Sequence, residues 1–204
     1  MASQRHNALE AEEARGERVI PDEVLAATRA AVLAVGVRRT TLTDVARRAG
    51  VSRMTLYRMV PDVTTLILAV MTHEFAAVFA DAEQHARRRR SGRARAVAAM
   101  IEVVRRLPES ELFRRVVDVD PELLLPYLTD RLGATQRLAL VQIRRMLADG
   151  VADGSIRRAD LDTLALTVVL ATTPFVVSAR LLDDAARVAA LDELTRMLDC
   201  WLAP

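Results

Sequence analysis

At 204 residues the chain has room for one domain or two small ones with a sizeable core. Aromatics make up 3% and glycines number seven, while Ala, Leu, Val, Arg and Asp dominate, which favours helices over sheets. A formal net charge of +2 excludes a polycation that coats nucleic acid indiscriminately. The single Cys200 excludes an internal disulfide and suits a reducing cytoplasm.

Residues 1–19 are charged and lack an apolar core, so they read as a mobile arm and not a signal peptide. Pro21 suits the first turn of a helix. That helix is expected to run to about Val35, with Val24, Leu25, Thr28, Val32 and Val35 on one face, and to stop at Gly36. The stretch TTLTDVARRAGVSRMTLY, from Thr40 to Tyr57, then carries the spacing of a DNA-reading helix-turn-helix. Thr41 caps its first helix. Ala46 is small where two helices cross closely, and Gly50 ends the first helix in a left-handed conformation. Ser52 caps the next helix by accepting from a free N–H, and Leu42, Val45, Val51 and Leu56 form a small shared core. A helix from Arg53 to about Met59 lies in the major groove in this arrangement, its first residues at the base edges. Residues 37–60 hold Arg38, Arg39, Arg47, Arg48, Arg53 and Arg58 against Asp44 alone, the electrostatic footprint suited to phosphates. All 29 basic residues are arginine, which we read as the mark of a GC-rich genome and not of a site.

After Asp62 a long helix is expected from Val63 to about Arg90, broken by Ser91 and Gly92. Its terminal run Arg87–Arg90 lies roughly 36 Å along the helix from the motif and reads as a charged helix end favoured by the dipole. A helix over 93–107 repeats Val97, Met100, Ile101, Val104 and Leu107 at helical spacing until Pro108. A short helix holds Phe113, Val116 and Val117. Pro121 opens a segment that passes Pro126 and runs to about Ala152, with Leu128, Leu132, Gln136, Ala139, Ile143 and Leu147 inward. A loop follows over 149–160, then helices over about 160–181 and 186–202, the last lined by Leu191, Leu194, Leu198 and Trp201. The apolar stretch 161–177 is short for a membrane span and carries Asp162 and Pro174, so a helix buried in a bundle or dimer explains it better. The total is nine helices and no strand: an all-α chain.

The text LAATRAAVLAVGVRRTTLTDVARRAGVSRMTLYRMVPD, followed by Leu66, resembles the DNA-binding domain of TetR-type transcriptional repressors. The later helices match that family in number and order. The resemblance implies a helix-turn-helix DNA-binding domain over 20–62 and a helical ligand-binding and dimerisation domain over 63–204. It implies a cytoplasmic homodimer paired through its last two helices, bound to palindromic operator DNA and released by a small apolar effector. Base reading falls to Arg53 and Met54. Thr41, Thr43, Thr55 and Tyr57 are placed on phosphates, with Ser52 beside them and Arg58 in either role. Arg38 and Arg39 sweep a DNA backbone or are simply solvated. Two positions depart from the family: Val60 where an aromatic is usual, and Val63 where a phosphate-touching lysine is usual. They leave open an alternative, a ligand-binding helical dimer with weakened DNA binding.

An effector pocket is expected between the middle helices, lined by Met100, Val104, Phe113, Val117, Leu124, Tyr127, Gln136, Ile143 and Phe175. Tyr127 and Gln136 are its polar fixers, which suits an apolar, weakly polar molecule. Pro174 is expected to kink its helix. Catalysis finds no support. His6, His73 and His85 are scattered, no glycine-rich phosphate loop or paired cysteine occurs, and Asp118 with Asp120 reads as a solvated turn. No metal, cofactor or catalytic residue is therefore assigned, and no membrane partner.

Overall fold

The computed structural model describes residues 20–204, so the arm assigned to 1–19 lies outside the described residues. Among them are ten α-helices, three short 3₁₀ turns and no strand. They are α1 (Asp22–Val35), α2 (Leu42–Ala49), α3 (Arg53–Met59), α4 (Val63–Ala86), α5 (Gly92–Arg106), α6 (Glu111–Val119), α7 (Leu125–Thr129), α8 (Ala134–Ala152), α9 (Leu161–Val177) and α10 (Asp184–Leu202).

Short polar side chains set most helix starts. Thr41, Ser52, Asp62, Ser91, Ser110, Asp160 and Asp183 each accept from a backbone N–H in the first turn of the helix that follows. Each such cap contributes about 1 kcal/mol. Gly50 ends α2 at φ 68°, and the N–H of Val51 donates to the carbonyl of Ala46. That closure turns the chain sharply from α2 into α3.

Three apolar clusters organise the molecule. Val24, Ala31, Leu42, Val45, Ala46, Leu56, Val60 and Leu66 form the core of a small head made by α1, α2, α3 and the start of α4. Leu25, Val32, Ile67, Val70, Leu112 and Val116 form a second cluster in which α6 docks against α1 and α4. The largest cluster joins α4, α5, α8, α9 and α10 into the body. Helix α4 runs through all three. It is long and apolar enough to cross a membrane by composition, yet Leu66, Ile67, Val70, Phe75 and Phe79 are buried against the head and body.

Several boundaries differ from the sequence expectation. Helix α4 stops at Ala86, so Arg87–Arg90 form an exposed turn and not a helix end. The expected long helix over 121–152 is broken. A 3₁₀ turn at Pro121–Leu123 and the five-residue α7 precede α8. Pro121 and Pro126 lack an N–H and so open helical turns without continuing them. Leu128 and Leu132 consequently leave the inner face and are exposed. Helix α8 ends at Ala152 as expected, so the loop expected from 149 begins only after it, and Gly150 lies inside the contact of α8 with α5. A Cβ on Gly92 would sit 2.4 Å from the Cα of Gly150. Beyond it, Asp153 Oδ2 accepts from the N–H of Gly92 at 2.6 Å and Ser155 Oγ accepts from that of Arg93 at 2.9 Å. The start of α5 is thus tied to the end of α8. Helix α9 ends at Val177, short of the expected 181, and a 3₁₀ turn follows it.

Candidate nucleic-acid interface and ligand cavity

Helix α3 buries Leu56 and exposes Arg53, Met54, Tyr57 and Arg58 on its opposite side. Met54 is 67% exposed and Tyr57 54%, so both side chains are accessible to a partner. The hydroxyl of Ser52 accepts from the Thr55 N–H at 3.0 Å and lies 2.8 Å from Thr55 Oγ1, so both hydroxyls are engaged at the helix start. Thr41 Oγ1 likewise accepts from the Asp44 N–H at 3.2 Å, while Thr43 is half-buried. Arg58 Nε donates to the Met54 carbonyl at 3.3 Å, which folds its side chain back along α3.

The head's positive charge is unevenly available. Arg48 and Arg47 both bond Asp44, at 2.7 and 2.5 Å, and hold its carboxyl below the usual carboxylate range. Arg39 donates to the Val35 carbonyl. Arg38 points away from the motif. Its guanidinium reaches Glu122 at 2.5 Å and Asp120 at 2.9 Å, on the segment that leaves α6. Those two carboxylates, Glu122 foremost, raise its pKa, and Arg38 in turn holds Glu122 low. This corrects the sequence reading of Arg38 as a DNA-sweeping or solvated side chain. It also corrects the reading of Asp118 and Asp120 as a solvated turn, because Asp120 is only 2% exposed. Val60 is 3% exposed in the head core, and Val63 packs beside it. The aromatic usual at position 60 is therefore replaced by another packing residue.

Beneath the head lies a cavity of about 1110 Å³. Met100, Val104, Phe113, Leu124, Tyr127, Gln136 and Ile143 line it, as the helical spacing suggests. Val117 and Phe175 do not. Val117 is buried where α6 meets the turn after α9, its carbonyl accepting from Arg180. Helix α9 presents Val168, Val169, Thr172, Thr173 and Val176 to the space, and Phe175 falls at the edge of that arc, packed on the body core. Gln136 is not a free polar fixer. Its Nε2 donates to the Tyr127 carbonyl at 2.8 Å and its Oε1 accepts from the Gly133 N–H at 2.9 Å, clamping the turn between α7 and α8.

Sequence reasoning missed three features of the wall. Phe75 and Phe79 of α4 enter it at i, i+4 spacing, a signal present in the sequence. Arg131 and Arg137 reach it only because the chain breaks after α7. Met59, Val60 and Pro61, the exit of α3, close its upper end. Among the described residues no group of three or more His, Cys, Asp or Glu is placed to hold a metal.

A family model described as bacterial regulatory proteins, tetR family, matches residues 24–68. A protein of Mycobacterium bovis named as an HTH-type transcriptional regulator is 33% identical over 180 residues, covering 88% of this chain and 92% of its own. The R. erythropolis transcriptional repressor QsdR superposes with a TM-score of 0.68 at 18% identity, covering 86% of this chain and 91% of its own. RolR in complex with resorcinol superposes with a TM-score of 0.63 at 17% identity, covering 97% and 98%. The last two likenesses are of fold.

Proposed function

Because the chain belongs to the tetR family of bacterial regulatory proteins, and so is a transcriptional regulator, we propose that it is a homodimeric repressor released from its operator by a small, mainly apolar effector. Each α3 enters a major groove. Arg53 and Met54 read base edges, and Thr41, Thr43, Thr55 and Tyr57 fix register on phosphates, with Arg58 serving either purpose. The operator is then roughly palindromic, with half-sites set by the dimer. The head over 20–62 and the body over 63–204 act as the two functional units, in the cytoplasm where the DNA is.

One observation carries the regulatory part: the cavity wall includes Met59, the last residue of the recognition helix, and Val60 and Pro61, which follow it. A molecule that fills the cavity presses on the exit of α3. Such an effector must bind the released arrangement of heads more tightly than the operator-bound one. The resorcinol held by RolR supports an effector in a body of this fold. For the dimer, the supporting feature is a run of exposed apolar side chains on the last two helices: Leu166 and Leu170 of α9 with Val188 and Met197 of α10. The reading of weakened DNA binding loses its basis at Val60, whose side chain faces the core.

Fluorescence anisotropy of labelled operator tests the proposal. An effector bound by the protein raises the operator Kd. Thr72→Trp, which takes up cavity space from α4, abolishes any further rise on adding effector. Release that persists in Thr72→Trp contradicts the cavity's role.

A further inference from the structure

We propose that the effector is an elongated amphiphile ending in a carboxylate, its chain in the cavity and its head paired with Arg131. The inference rests on the cavity being the effector site and adds the chemical class of its occupant.

The argument is one of charge and shape. Among the described residues no aspartate or glutamate lines the cavity, whereas two arginines, Arg131 and Arg137, do. Arg137 directs Nη1 to the Leu132 carbonyl at 2.7 Å. Arg131 has no carboxylate partner among the described residues. Its guanidinium lies 5.3 Å from the centre of the Tyr127 ring, itself part of the wall. Arg157 likewise stacks on a ring, that of Trp201, without a carboxylate partner among the described residues, but it lies outside the cavity wall. Arg93, Arg105, Arg144, Arg145 and Arg180 are each paired with a carboxylate. A guanidinium resting on an aromatic face is oriented in advance, and its planar fork matches a carboxylate. A carboxylate supplies that cation with a counter-charge, and a cationic ligand is repelled by it.

The rest of the wall selects a long apolar body. Phe75, Phe79, Met100, Val104, Ile143 and Val168 are buried and line the space. Arg131, Leu128 and Leu132 are exposed and form its rim. The wall includes both Val168 of α9 and Pro61 beneath the head, and at about 1110 Å³ the space lies at the upper end of the roughly 300–1,000 Å³ usual for small-molecule sites. Apolar depth, cationic rim and volume suit a long-chain acid better than a compact neutral ring.

Isothermal titration calorimetry of the full chain with decanoate, decanol and decylamine, each below its micelle concentration, tests this. Decanoate is expected to bind roughly tenfold to a hundredfold more tightly than decanol, the range of a charge-assisted hydrogen bond. Decylamine is expected to bind weakest. Arg131→Ala removes the advantage of decanoate and leaves decanol unchanged. Equal affinity for decanoate and decanol in the unaltered chain overturns the inference without relying on any variant. So does absence of binding by all three, or an advantage that survives Arg131→Ala. Thr72→Trp separates the two levels of the argument. Decanoate binding undiminished by that substitution shows that the cavity itself is not the site.

Discussion

Arg53 and Tyr57 share one exposed face of α3, and the proposed interface gives them two kinds of contact. Arg53 stands in the first turn of α3, where a guanidinium can bond guanine O6 and N7 together, a pairing worth about 1–3 kcal/mol of discrimination. Arg53→Ala is therefore expected to relax selectivity at one base pair per half-site, read by anisotropy against single-base operator variants. Equal loss on operator and random DNA would show that Arg53 contacts only the backbone. Tyr57→Phe removes a phosphate donor and is expected to weaken both kinds of DNA alike; unchanged affinity would remove it from the interface. The head was legible because its residues are local: Thr41, Gly50 and Ser52 act on backbone groups within five positions of themselves. Arg38 and Gln136 were not. Arg38 meets Asp120 and Glu122 more than eighty positions away, and Gln136 meets backbone that turns only because the chain breaks at 130–133. Removal of Arg38 leaves the buried Asp120 without its nearby cation. Arg38→Ala is thus expected to lower the melting temperature more than Arg39→Ala; equal effects would show that the contact with Asp120 contributes little.

Among the elements, the crossing of α5 and α8 is the most tightly constrained. A Cβ on Gly92 would meet backbone at 2.4 Å, which no side-chain adjustment relieves. Gly92→Ala is expected to cost about 1–3 kcal/mol, the range of overpacking, and to lower the melting temperature by several degrees. An unchanged transition would mean that the helices separate freely. The neighbouring Asp153 makes the same joint pH-dependent. Bonds from the Ser155 hydroxyl and from the N–H groups of Gly92 and Ser155 hold its carboxyl below the usual range. A lowered folded pKa gives stabilisation that is complete above the unfolded value of about 3.9 and is lost as pH falls through the folded value. Asp153→Asn is expected to melt lower than the unaltered chain at pH 7, with the gap closing below about pH 4. A constant gap would assign the effect to packing. Periodicity located the helices well, including the end of α8 at Ala152, but the break before α8 was not legible. A proline fixes where a turn opens, whereas the glycine at position 150 signals only a breaker until its partner across the crossing is known.

At the scale of the whole molecule, one chain leaves Leu166, Leu170, Val188 and Met197 exposed on its last two helices, and these are the residues that a second copy covers in our account. Leu170→Arg is expected to yield a folded monomer in analytical ultracentrifugation, with operator affinity reduced because one head reads only half a palindrome; a dimer that persists would move the interface elsewhere. Val63 stands where the family commonly has a lysine, so Val63→Lys is expected to add one phosphate contact per subunit and steepen the salt dependence of binding by about 0.9 per contact. Head, cavity and pairing surface meet in a single claim, that this chain recognises a DNA sequence and not merely its charge. The direct test is selection of sheared genomic DNA by the purified protein at roughly physiological salt, where weak ionic binding is suppressed. A few enriched fragments that share an inverted repeat are the predicted result. No enrichment by a folded, dimeric protein would contradict it.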